Sequence, residues 1–133
     1  MKKWLVLLVV MFSGIMLSGC TFSEHGAIYD DEERWVLVGD TYSFLGKYYH
    51  DQEITFKRFS GIFTLDRMDA DEDVTITIEQ SISSGRFTCI IVTEDDEIII
   101  LNEGVNLIPA SDGKMRLRII GDDAKGSLSF KFS

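Results

Sequence analysis

The side chains with chemical potential in this chain fall into a few separated groups. Asp69-Ala70-Asp71-Glu72-Asp73 sets carboxylates at alternate positions, as oxygen-ligand loops for calcium do. An EF-hand would need glycine where Val74 stands and glutamate where Gln80 stands, and it has neither. A two-loop site would recruit Glu94, Asp95, Asp96 and Glu97, or Asp122 and Asp123. The plainer reading of Asp69, Asp71 and Asp73 is a solvated charged turn. His25 and His50 are the two histidines, so no cluster has the His or Cys spacing of a transition-metal site. No nucleophile elbow lies near His50, which leaves a Ser-His-Asp device without its parts. Cys89 sits in the apolar run Phe87 to Val92, as a small buried hydrophobe does. These patterns point away from an enzyme and imply no cofactor.

Two groups suit binding better than catalysis. Trp35, Tyr42, Tyr48 and Tyr49 crowd into fifteen residues. Exposed together, they would form a stacking platform for the apolar faces of sugars, a carbohydrate-binding module. Turned inward, they would plug one end of a small β core or staple an N-terminal arm to it, the commoner use of such rings. Arg116 and Arg118, with Lys114, alternate along one face of a strand. They would pair with carboxylates on neighbouring strands, or offer a patch to an anionic wall polymer.

Behind these groups lies an N-terminal segment of a different kind. Lys2 and Lys3 precede an apolar run from Trp4 to Leu17. A membrane-spanning helix needs ~20 apolar residues, so fourteen fit a secretory h-region better than an anchor. The segment closes on Leu17-Ser18-Gly19-Cys20. Those four residues resemble the lipobox of bacterial lipoproteins at every position. The resemblance implies cleavage after Gly19, a diacylglyceryl group on the Cys20 thiol, and attachment to a membrane, facing outside the cytoplasm. Two acyl chains anchor stably where one does not. Thr21, not Asp, follows the cysteine, which leaves open which of two membranes would hold it.

On this reading the organisation is a signal peptide over 1–19, a lipidated cysteine and acidic tether over 20–33, and one domain over 34–133. Cleavage removes Lys2 and Lys3 and leaves eleven basic against 22 acidic residues, a net charge of −11. Such a surface repels nucleic acid and anionic headgroups, so no nucleic-acid partner is expected. Membrane attachment must come from the lipid, and an envelope protein or polysaccharide is the expected partner class.

From Glu53 onward the apolar period is two. Ile54 and Phe56, Val74 to Ile78, Phe87 to Ile91, Met115 to Ile119, and Leu128 to Phe132 alternate with polar residues. Ser60-Gly61, Ser83-Ser84-Gly85, Glu94-Asp95-Asp96, Asn102-Glu103-Gly104 and Gly121 to Gly126 read as turns or loops between strands. Trp35 to Val38 reads as a first strand or as an arm packed on the domain. No stretch after Cys20 sustains a helical stripe. The expectation is an all-β fold: an antiparallel β-sandwich of jelly-roll type with about eight strands.

The stretch Gly113 to Gly121, followed by Ala124-Lys125-Gly126-Ser127, is similar to the C-terminal hairpin of small Firmicute lipoproteins. Their pattern is Gly-x-Tyr-x-Ile-x-Ile-x-Gly and then Ala-x-Gly-Ser; Met115 stands here in place of the tyrosine. Ser84-Gly85-Arg86-Phe87 resembles a second hairpin of that group, and the pattern is also similar to pre-peptidase C-terminal modules. The resemblance implies a jelly-roll-like sandwich and no particular chemistry.

Overall fold

A computed structural model describes residues 24–49 and 53–133. β-Branched and aromatic residues fill six strands: β1 (Thr41–Tyr49), β2 (Glu53–Asp69), β3 (Val74–Val92), β4 (Ile98–Leu101), β5 (Gly104–Ile108) and β6 (Lys114–Phe132). They form one antiparallel sheet in the order β1-β2-β6-β3-β4, with β5 also paired to β3. A 3-10 turn (Ala27–Asp30) and a one-and-a-half-turn helix, α1 (Glu32–Leu37), precede the sheet. The all-β expectation stands, while the strand count is six where the turn signals suggested eight.

The difference has one cause. Ser60-Gly61, Ser83-Ser84-Gly85 and Gly121 to Gly126 are not turns but bends inside long strands. All three lie at one level of the sheet, where β2, β6 and β3 shift register against one another. Such bulges bend a strand without ending it. Gly61 (φ +114°) and Gly85 (φ +77°) occupy backbone conformations that side chains resist, and they sit at these bends.

The bends double the sheet back on itself. Extended, the nineteen residues of β6 would measure about 60 Å. Yet Asp69 lies opposite Lys114 at one end of β6, while Thr75 exchanges backbone hydrogen bonds of 2.9 and 3.2 Å with Ser133 at the other. The chain from Asp69 to Thr75 reaches at most about 20 Å. One half of the sheet therefore folds over the other. The first half contains Glu53 to Phe56, Val74 to Ile82 and Ala124 to Phe132, with β5. The second contains Gly61 to Asp69, Arg86 to Val92 and Lys114 to Gly121, with β4. Both halves contribute to a single buried cluster, including Phe56, Ile76, Ile78 and Leu128 from the first and Ile91, Leu117 and Ile119 from the second.

The second half is apolar on its outer face as well. Ile62, Ile90, Val92 and Ile120 point away from the main cluster and are buried beneath Ile28 and Trp35. Here two expectations change. Trp35 to Val38 is not a strand: Trp35 lies in α1 and its ring is an anchor, so the arm alternative holds. The expected tether is also folded in part, for Ile28 is fully buried. Asp30, Glu32 and Glu33 are exposed, while Ile28 joins Trp35 in the outer cluster. No helix among the described residues is long and apolar enough to cross a membrane.

Candidate functional site

The N-terminal arm governs what the outer face can offer. Trp35 is 5% exposed, and its indole Nε1 donates to the Ile28 carbonyl at 2.8 Å. Tyr29 meets Trp35 edge-on and shares a 2.6 Å hydrogen bond with Thr88. The Arg86 guanidinium lies 4.4 Å from the Tyr29 ring centroid and donates to both Asp30 oxygens and to Asp122. Hydrogen bonds from Arg86 hold the Asp30 carboxyl below its ordinary range, and those to Asp30 and Asp122 keep Arg86 protonated. This bidentate pairing fixes orientation more than it adds stability at an exposed site.

Arg118 closes the other end of the arm. It is fully buried, donating to the carbonyls of Trp35 (2.6 Å) and Val38 (2.7 Å), and Asp40 stands 3.6 Å away. Arg116 donates to the Val36 carbonyl at 3.0 Å. The last carbonyls of a helix lack internal partners and carry its negative end, so two arginines there satisfy both needs. Burial, reinforced by the neighbouring Arg116 charge, pushes Arg118 down to about 10 against the opposing pull of Asp40. Of the cationic patch that Arg116 and Arg118 would offer an anionic polymer, Arg118 is therefore buried and not presented at the surface. Arg118 is occupied within the fold, because α1 covers the face on which it stands.

Beside this clamp lies an open groove of about 580 Å³ lined by Arg67, Lys114 and Arg116 with Asp69, Asp71, Glu94 and Asp96. Arg67 and Arg116 are direct cross-strand partners, as are Asp69 and Lys114. Glu94 accepts the Lys114 backbone N–H at 2.8 Å and so fixes the 93–97 turn over the end of β6. That turn is closed by Thr93, whose hydroxyl accepts from Glu97 N–H at 3.1 Å. Strict alternation places Arg67 with Phe63 and Leu65 on the core side. A bulge between Thr64 and Asp66 reverses the parity and brings Arg67 to the face of Arg116. Nothing in the residue types signals that reversal.

A second, apolar cavity of about 140 Å³ opens between β1 and the bent sheet, lined by Tyr42, Phe44, Ile54, Phe59, Phe63 and Ile119. Tyr42 stands at its lip, 45% exposed and edge-on to Phe63 with centroids 5.0 Å apart. Of the expected sugar platform, only Tyr42 is thus seen at the surface. Trp35 lies under the arm, and the side chains of Tyr48 and Tyr49 lie outside the described residues. A sugar face would need several exposed rings in one plane, which Trp35 cannot supply.

Asp73 accepts the Ala110 N–H at 2.7 Å and ties the β2–β3 loop to the approach to β6. Asp69 and Asp71 line the groove. Among the described residues no group of three or more His, Cys, Asp or Glu side chains has the geometry to hold a metal ion. His25 shares a 2.8 Å hydrogen bond with Ser43 of β1. Leu17, Ser18, Gly19, Cys20 and His50 lie outside the described residues.

Cys89 is buried in the main cluster, and burial pushes its thiol up from 9.0 to about 12. Between these values the unfolded chain loses the proton first, so rising pH favours unfolding. The stabilisation is complete below pH 9 and declines as pH climbs towards 12. The stability gap between the wild-type chain and Cys89→Ala should shrink by about 1.4 kcal/mol per pH unit across that window. Urea denaturation at pH 8, 10 and 11 measures it, and a constant gap would show an ordinary thiol.

In comparisons with known proteins, no family model matches the chain, and no curated protein and no solved structure is similar to it.

Proposed function

We propose that this chain is a membrane-anchored lipoprotein of the bacterial envelope whose β domain is a non-enzymatic binding module facing outside the cytoplasm. The observation that carries the reading is Leu17-Ser18-Gly19-Cys20 directly after a basic and then apolar leader. The thiol of Cys20 is the lipid site, and a protein or polysaccharide of the envelope is the partner class. We read the doubled-back sheet as a two-layer sandwich.

The packed arm refines this reading. His25 is hydrogen-bonded to Ser43 of β1, and five covalent steps from Cys20 to His25 span at most about 18 Å. A lipid on Cys20 would hold the domain close against the bilayer, with no long stalk. The acidic surface would oppose spreading on anionic headgroups, leaving the acyl chains to supply the attachment.

The test is metabolic labelling of the full chain, expressed in a bacterium and fed an alkyne-tagged palmitate. The wild-type protein should carry the label and run about two kilodaltons shorter than its precursor, whereas Cys20→Ala should carry none and keep the leader. A wild-type chain that stays unlabelled would overturn the anchor.

A further inference from the structure

We propose that the groove between β2, β6 and the 93–97 turn binds a small phosphate–ammonium zwitterion, free or as the headgroup of a lipid. The proposal does not depend on the lipid anchor.

It starts from an arrangement that the fold does not need. Like charges directly opposite on neighbouring strands oppose pairing, yet Arg67 and Arg116 are set so. Carboxylates are abundant in this chain, 22 against 13 basic residues. Even so, among the described residues neither Arg67 nor Arg116 has a carboxylate within ion-pair distance. Arg116 has a single hydrogen bond, to the Val36 carbonyl, and the exposed Arg67 guanidinium has no hydrogen-bond partner there. The bulge at Thr64/Asp66 is what turns Arg67 to this face. Bulges that re-aim a side chain are a recurrent device at binding sites.

Two guanidiniums side by side, with Lys114 two pairs further along, form an oxyanion seat. Arginine forks match phosphate oxygens in geometry and number of donors, and a phosphate takes donors from two strands at once where a carboxylate has only two oxygens. A simple anion fits the groove poorly, however, because Asp69, Asp71 and Asp96 line it as well, with Asp69 directly beside Lys114. Asp69 comes from the end of β2, Asp71 from the loop that follows, and Asp96 from the turn, where it holds φ +62°. A ligand with an ammonium a few bonds from its phosphate answers both charges. The volume, about 580 Å³, falls within the usual range for small-molecule sites.

Titration calorimetry of the full chain in neutral detergent tests this with phosphoethanolamine as the free form and dihexanoyl phosphatidylethanolamine as the lipid form. Saturable binding of either is expected. Binding of the first alone identifies a free ligand, and binding of the second alone a headgroup. Arg67→Gln and Asp71→Asn, both at exposed positions, should each weaken binding at least tenfold at an unchanged melting temperature, while Lys125→Gln should leave it intact. Glycerol 3-phosphate and ethanolamine, each carrying one pole, should bind at least tenfold more weakly than phosphoethanolamine. The proposal is overturned by no saturable heat from either zwitterion at millimolar concentration, by undiminished binding to Arg67→Gln, or by glycerol 3-phosphate binding as tightly.

Discussion

Trp35→Ala is expected to lower the unfolding free energy by about 3–5 kcal/mol, the range for removing a large buried aromatic. Against a total of about 5–15 kcal/mol for a domain, that is a large share. Three losses coincide. The ring leaves a void in the cluster of Ile28, Ile62, Ile90, Val92 and Ile120, against which Tyr29, Val36 and Ile98 pack only in part. The Ile28 carbonyl loses the indole N–H. The arm's hold on Arg118 also weakens, and a buried cation with fewer partners is costly. Because Arg86 holds Asp30 and Thr88 holds the Tyr29 hydroxyl without help from the indole, the arm should loosen without detaching fully. Urea unfolding measures the stability change, and limited proteolysis between Asp31 and Asp40 measures the loosening. A loss below 1 kcal/mol, with the arm still protected, would show that the arm is not part of the cooperative unit.

Gly61→Ala is expected to cost about 3 kcal/mol or more, from backbone strain of roughly 1–3 kcal/mol plus a steric clash. The residue holds φ +114°, and a Cβ there would overlap the Thr41 carbonyl oxygen and come within 2.7 Å of the Tyr42 Cα. Both contacts are backbone, so no rotamer relieves them. Relief requires β1 to separate from β2 at the point where Tyr42 pairs with Gly61. That movement would also open the Tyr42 side of the apolar cavity. Gly39→Ala is the control, because nothing lies within 4 Å of a Cβ built there. Thermal unfolding should separate the two variants clearly. Equal melting temperatures would mean that the bend in β2 tolerates a side chain and is not a fixed corner.

The same corner explains the difference between the strands expected and those observed. Ser-Gly pairs mark hairpin turns and bulges alike, since both need a backbone that tolerates positive φ. Only the partner strand distinguishes them. Ser83-Ser84-Gly85 looks like a turn until Ser84 is found opposite Lys125 and Arg86 opposite Asp122, so that β3 continues past it. The alternation within each half was legible, and Ile76, Ile78, Cys89, Ile91, Leu117 and Ile119 are core residues as their period implies. The outer cluster was not. Ile62, Ile90 and Ile120 break the alternation that a one-sided sheet would show, and their cover comes from a helix too short to display a stripe.

The candidate site divides in the same way. Arg116 and Arg118 were visible as a pair on one strand face, but their roles diverge because α1 ends over Arg118 and leaves the groove side of Arg116 open. Arg67 carried no signal, since its parity was reversed by an inserted residue that only pairing reveals. What the sequence alone determined was composition-level and periodic: strand content, an acidic net charge, a buried Cys89, and a basic then apolar N-terminal run closing on Leu17-Ser18-Gly19-Cys20. These depend on residue type and on near neighbours along the chain. The tertiary structure decided where long strands bend, which face the arm covers, and which charges meet across β2 and β6. Those depend on contacts between residues some fifty to eighty positions apart, such as Arg67 with Arg116 and Trp35 with Arg118, which no local pattern encodes.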